Sequence, residues 1–184
     1  MKLKTSVNER ILLLVLIILT VLVRLIPTSI AIDDAYITFR YARNIAEGRG
    51  FVYNPGERVL GTTTPLFTLA LAGMGWIIGG DQYPEYAVIL STAADGVTLV
   101  LLYLLMRHLT DHRLPALVLC AAFALSPMII ANVVRGMEAN IVMMFMTMAF
   151  WAYAAGRERV MMAAGAFATL TRPDVLIGIG PLFL

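Results

Sequence analysis

Residues 65–79 read Pro65-Leu66-Phe67-Thr68-Leu69-Ala70-Leu71-Ala72-Gly73-Met74-Gly75-Trp76-Ile77-Ile78-Gly79, an apolar stretch of 15 residues. A helix that crosses a bilayer needs about 20 apolar residues, with about 17–25 tolerated. Whether this stretch crosses decides the side of every later loop. Loop charge settles it, because positive residues collect in short cytoplasmic loops. Arg107 and Arg113 flank one short loop, and Arg157 and Arg159 sit in another. If 65–79 crossed, both loops would face outward. If it lies in or on the outer leaflet, both face the cytoplasm. Its length, Gly73 and Gly75 favour the second arrangement, so an interfacial or re-entrant helix is expected.

The rest of the chain has the composition of a lipid-embedded protein. Of its 184 residues 60% are hydrophobic and 14% charged, with a mean hydropathy of +0.82. Soluble domains are about 45–50% apolar and about 25% charged. This excess excludes a disordered chain and argues against a cytosolic enzyme. A net charge of +2 is too small and scattered for a nucleic-acid partner. Cys120, the sole cysteine, has no partner for a disulfide. His108 and His112 are spaced i,i+4 but flank a turn with two arginines, and are expected to be solvated.

The expected fold is an all-α, polytopic integral-membrane bundle: one transmembrane domain over 1–184, with a large first external loop carrying interfacial helices. Spans are expected at about 11–26, 83–106, 114–130, 139–155 and 160–171, with another starting at 175–184. Lys2, Lys4 and Arg10 place the N-terminus inside, and residues 27–82 outside. A final Gly-Pro-Leu-Phe-Leu without a polar tail suggests a longer protein, or a second chain completing the bundle. Asp95 falls within a span; pairing with Arg24, neutrality and a substrate groove are open alternatives. Met143, Met144, Met146 and Met148 form a flexible cluster that suits core packing or a lipid-tail groove.

The external loop carries the chemistry. Asp33-Asp34 opens a helical pattern in which Ile37, Tyr41 and Ile45 form one face and Arg40, Arg43 and Glu47 the other. Gly48 fits the C′ position. Phe51-Val52-Tyr53 and Arg58-Val59-Leu60 read as short strands around a type II turn at Asn54-Pro55-Gly56-Glu57. Thr64 and Pro65 form an N-cap and N1 pair. The paired acids have two readings: Asp34 caps the helix beside a solvated Asp33, or the two form an acid/base or metal-binding pair. Adjacent carboxylates disfavour double ionisation, whereas a helix N-terminus favours it.

Three stretches resemble a known family. They are Asp33 to Asn44 with Gly48 to Val59 and Gly61 to Leu66, then Arg135-Gly136-Met137-Glu138, then Leu170-Thr171-Arg172-Pro173-Asp174. Together they resemble GT-C glycosyltransferases, most closely the actinobacterial cell-wall arabinofuranosyltransferases and related polyprenyl-phosphate-sugar-dependent enzymes. The resemblance implies sugar transfer from a lipid-linked donor to a glycan, lipid or protein acceptor on the external side of a bacterial plasma membrane. It maps the family's proposed general base onto Asp33, with Asp34 as the second candidate.

Such chemistry needs a carboxylate to deprotonate the acceptor and cations to hold the departing phosphate. Arg40, Arg43, Arg135 and Arg172 are candidates for the second task, Tyr36, Tyr53 and Glu57 for contacts to sugar hydroxyls, and Glu138 and Asp174 are further substrate-binding candidates. Each has a plain alternative. Arg40 and Arg43 suit a wet helix face, Arg135 and Glu138 an i,i+3 pair, Arg172 and Asp174 interfacial anchoring, and Glu57 a turn. A divalent cation on Asp33 or Asp34 is open, although one pair is an incomplete ligand set. Two other functions compete: a transporter or flippase subunit for a lipid-linked sugar, which would depend on Asp95, and a non-catalytic membrane partner.

Overall fold

The computed structural model describes residues 7–183 except Arg58 and Asp111. Lys2 and Lys4, and the start of the expected second strand at Arg58, lie outside the described residues. Nine α-helices are described: α1 Val7–Leu25, α2 Asp33–Ala46, α3 Pro65–Ile78, α4 Tyr83–Thr110, α5 Arg113–Ala124, α6 Pro127–Val134, α7 Ala139–Ala154, α8 Glu158–Thr171 and α9 Leu176–Ile179. Short 3₁₀ turns, Pro173–Val175 and Gly180–Phe183, flank α9. The long α4 is the centre post, packed by α1, α5, α7 and α3.

Among the described residues, α4 is the one helix that by itself is long and apolar enough to cross a membrane. The 16 residues of α7 and the 14 of α8 span about 24 and about 21 Å at about 1.5 Å per residue, short of an approximately 30 Å hydrocarbon core. The α1 helix carries Glu9, Arg10 and Arg24.

Two of the expected spans are interrupted as helices. The single span expected over 114–130 is broken into α5 and α6, bent by 44°. Pro127 opens α6 and cannot donate to a carbonyl one turn back. Arg24 serves the carbonyls at this break, its Nη1 donating to Ala124 O at 3.0 Å and its Nη2 to Phe123 O at 3.4 Å, alongside Ser126 N on Phe123 O. The described part of the terminal apolar run, 175–183, is likewise no single regular helix, since 3₁₀ turns carrying Pro173 and Pro181 flank the four-residue α9.

The segment between α2 and α3 has no strand among its described residues. Asn44 Nδ2 donates to the carbonyls of Val52 and Tyr53, at 2.8 and 2.9 Å, and Arg40 Nε also donates to Tyr53 O. Side chains of α2 therefore occupy the acceptors that a β-ladder would use. On the other limb the Tyr41 hydroxyl donates to Val59 O and accepts from Gly61 N. The turn itself forms, with Glu57 N donating to Asn54 O at 3.1 Å and Gly56 at φ +91°.

Helix α2 also sits rotated from its expected face. Its buried side is Ala35, Thr38, Phe39, Tyr41 and Ala42, while Ile37 and Ile45 are half-buried. Phe39 and Ala42 join Phe67, Leu71, Tyr83, Tyr86 and Ile141 in a core uniting α2, α3, α4 and α7. The C-terminus of α2 closes as a Schellman motif, with Arg49 N donating to Asn44 O and Gly48 N to Ile45 O around Gly48 at φ +76°.

Candidate functional site

The first turn of α2 borders a cavity of about 280 Å³, lined by Asp34, Thr38, Thr62, Thr64, Glu138 and Arg172 among others. Four segments meet there. The α2 helix supplies Asp34 and Thr38, the turn before α3 supplies Thr62 and Thr64, Glu138 precedes α7, and Arg172 follows α8.

Neither acid of the pair caps the helix. The N-cap is Ile32, without a side-chain bond, so Asp33 and Asp34 stand at the first two helical positions. Both are exposed, but only Asp34 lines this cavity. Thr64 does hold the N-cap position of α3, yet its hydroxyl makes no capping bond. It pairs instead with Thr62 at 3.1 Å and Thr38 at 3.5 Å, and Thr62 meets Thr68 at 3.4 Å. The result is a cluster of buried hydroxyls beside the cavity that Asp34 also lines.

Glu138 is 4% exposed, and its partner is not Arg135. Arg172 Nη1 donates to Glu138 Oε1 at 3.0 Å, and Arg172 Nε donates to both oxygens of Asp174 at 3.0 Å. Burial works against the Arg172 charge, but the Glu138 and Asp174 carboxylates outweigh it and hold the guanidinium above the ordinary arginine range. Arg135 is exposed. Gly136, at φ +73°, lets the chain pass close to α2, where a Cβ would meet the Phe39 ring at 2.9 Å.

A second cavity, of about 510 Å³, lies on another side of α2. Its walls include Tyr36, Arg40, Arg43, Arg49, Tyr53 and Asp81. Arg40 stacks over the Tyr53 ring at 4.5 Å, and its Nη2 donates to Asn54 Oδ1 at 2.9 Å. Arg43 Nε donates to Asp81 Oδ1 at 2.7 Å, a bond that raises its pKa above the usual arginine value. Glu57 accepts from Asn54 Nδ2 at 3.0 Å and serves the turn.

Asp95 pairs with Arg24, both side chains fully buried, and accepts Asn140 Nδ2 on both oxygens at 2.9 Å. The acid on which transport would depend is thus engaged by Arg24 and Asn140. No group of three or more His, Cys, Asp or Glu able to hold a metal ion occurs among the described residues. His108 and His112 are exposed, and Cys120 is buried with Sγ 3.5 Å from Leu99 O. Thr38, Thr62, Arg49 and Asp81 were not singled out from sequence; the consecutive Thr62-Thr63-Thr64 was the signal for the hydroxyl cluster.

No family model and no solved structure matches the chain. It is similar in part to a glycosyltransferase. Over 84 residues, 46% of this chain, it is 37% identical to the terminal beta-(1->2)-arabinofuranosyltransferase of Mycobacterium tuberculosis. The aligned part spans 13% of that protein's length.

Proposed function

We propose that this chain acts in sugar transfer at a membrane, moving a sugar from a polyprenyl-phosphate donor to an acceptor hydroxyl on the external face. The observation that carries the proposal is the convergence at one cavity. The three stretches that resemble GT-C enzymes lie far apart in sequence, yet Asp34, Thr62, Thr64, Glu138 and Arg172 line the same space. The partial similarity to an arabinofuranosyltransferase points the same way.

Membrane embedding is supported by an inverted polarity. Arg24 and Asp95 are fully buried, and Glu9 and Arg107 nearly so. Meanwhile Ile11, Leu14, Ile18 and Leu22 of α1 are each at least half exposed. Water-soluble proteins seldom expose so large an apolar patch or bury charges in this way. The α3 helix ends on exposed Trp76, Ile77 and Ile78, as suits an interfacial element. The cytoplasmic N-terminus rests on the arginines of the 107–113 and 156–159 loops.

In the proposed reaction Asp34 accepts the proton of an acceptor hydroxyl. The hydroxyl oxygen attacks the anomeric carbon, and the bond from that carbon to the phosphate oxygen breaks. The phosphate leaves with the electron pair. Glu138 holds Arg172 in place at the cavity wall, and the threonine hydroxyls offer hydrogen bonds to the sugar. Position favours Asp34 over Asp33 as the base.

Membranes carrying wild type, Asp33→Asn and Asp34→Asn at matched expression test this, with labelled polyprenyl-phosphate sugars as donors. Asp34→Asn is expected to lose about 10²–10⁴-fold in rate, and Asp33→Asn to stay within a few-fold. Full transfer by both variants overturns the assignment.

A further inference from the structure

We propose that the cavity at the turn between α7 and α8 is a binding site for the headgroup of an anionic phospholipid. The inference rests on the membrane embedding proposed above and not on the transfer chemistry. The turn lies at the far end of α7 from Glu138, which precedes that helix, and at the far end of α8 from Arg172, which follows it. The 16 residues of α7 set the two ends about 24 Å apart at about 1.5 Å per residue, so this cavity is remote from the transfer site. It has a volume of about 390 Å³, and its walls include Tyr153, Arg157, Glu158, Met161, Met162 and Leu182.

The walls are divided as an amphipathic ligand requires. Arg157 supplies the polar side, its guanidinium lying over the Trp151 ring at 5.0 Å from the centroid. An aromatic face holds a guanidinium in place without using its N–H donors, and those donors fit a phosphate bidentately. Among the described residues neither Arg157 nor the exposed Arg159 beside it has a carboxylate partner. Arginines on the transfer side differ: Arg43 is bound to Asp81, Arg49 to Glu47, and Arg172 to Glu138 and Asp174. Glu158 is the one acid in the wall, and it opens α8, where a helix N-terminus favours its charge. Met161, Met162 and Leu182 supply the apolar side, with Tyr153 60% and Met162 52% exposed. Tyrosine and tryptophan are residues of the membrane–water interface, and methionine adapts to irregular chains. A free phosphate has no use for the apolar wall, and a zwitterionic headgroup brings its own cation to Arg157. The ligand that uses both sides is a lipid whose headgroup carries net negative charge.

Quenching of tryptophan fluorescence by brominated lipid tests the site in the full chain. The chain has two tryptophans, Trp76 and Trp151. Trp76→Phe leaves Trp151 as the sole reporter, and Trp151→Phe leaves Trp76. Both are placed in nanodiscs of phosphatidylcholine with a minor share of phosphatidylglycerol. Bromine is carried by the phosphatidylglycerol in one set and by an equal share of the phosphatidylcholine in the other. Brominated phosphatidylglycerol is expected to quench Trp151 at least about twofold more than brominated phosphatidylcholine. Arg157→Gln is expected to remove that excess, and Arg157→Lys, which keeps the charge without the planar fork, to retain part of it. Equal quenching of Trp151 by the two lipids overturns the proposal without recourse to the Arg157 variants. So does an excess that persists in Arg157→Gln, or one that is as large at Trp76, since anionic lipid would then gather around the whole chain. Quenching of neither tryptophan by either lipid overturns the membrane embedding, and this site with it. Absence of sugar transfer beside an intact preference at Trp151 removes the transfer function and keeps the site.

Discussion

Arg172 reaches back across 34 residues to place its Nη1 3.0 Å from Glu138 Oε1, while its Nε holds Asp174 beside it. One guanidinium thus serves two carboxylates of unlike burial, Glu138 at 5% side-chain exposure and Asp174 at 58%. Glu138→Ala is expected to lower the thermal midpoint in detergent more than Asp174→Ala. The exposed pair is worth less than about 1 kcal/mol. The buried one is worth about 1–2 kcal/mol after discounting for the half-exposed Arg172. The opposite order would show that Asp174 is the principal anchor.

Arg24 has two duties, to Asp95 and to the carbonyls at the break between α5 and α6. Asp95→Asn retains hydrogen-bonding atoms but leaves a buried guanidinium uncompensated, at about 3–5 kcal/mol. Arg24→Met strands Asp95, takes the side-chain donor from Ala124 O and leaves Phe123 O with Ser126 N alone, and should cost more than Asp95→Asn. The double variant Arg24→Met/Asp95→Leu is expected to recover part of the loss, but not the part due to the carbonyls. Unfolding midpoints of the three variants in one detergent decide this, and full recovery in the double variant would remove the helix break from the account.

Much of this was legible in residue types, and the rest was not for a definable reason. Gly48 and the Asn54–Glu57 turn depend on local backbone preference, and both form where the residues indicate. The boundaries of α2, α3, α4 and α7 follow apolar runs and punctuation by glycine and proline, and they too agree closely. The expected strands failed because Asn44 and Arg40 captured backbone acceptors across 8–13 residues, a competition invisible in the pattern of Phe51-Val52-Tyr53. The break at Pro127 was not expected within the 114–130 run, and the Arg24 guanidinium that serves it lies 100 residues before Ala124. The pairing of Glu138 with Arg172 rather than Arg135 has the same origin. Local spacing suggests the neighbour, and tertiary packing selects the distant residue.

The Tyr41 hydroxyl bridges Val59 O and Gly61 N with no exposed surface. Tyr41→Phe leaves both backbone groups without this partner and is expected to cost about 1–3 kcal/mol. Amide hydrogen exchange gives the sharper check. Protection of the Gly61 amide should fall in the variant while α4 core amides stay protected. Unchanged exchange at Gly61 would show that the hydroxyl does not hold the loop.

Gly136 combines a positive φ with a close approach to Phe39. Gly136→Ala is expected to cost about 1–2 kcal/mol from backbone conformation alone, with more from displacing the Phe39 ring. If it reduces transfer while Phe39→Leu/Gly136→Ala recovers some of it, the contact with α2 is the cause. No loss of thermal stability in Gly136→Ala would remove the conformational argument.

The pairing of Arg24 with Asp95 also sets an order of events at birth. Asp95 follows Arg24 by 71 residues, which at about 5–20 residues per second is about 4–14 s of synthesis. If the chain is embedded as proposed, the guanidinium spends that interval in the bilayer without its carboxylate. A long cationic side chain without a partner reaches for the nearest water, so the newborn α1 would ride toward one surface. It can settle to its final depth only when α4 brings Asp95 alongside, and the α5–α6 bend can close only after that. Assembly of this fold is then a timed sequence, with the first helix waiting on the fourth.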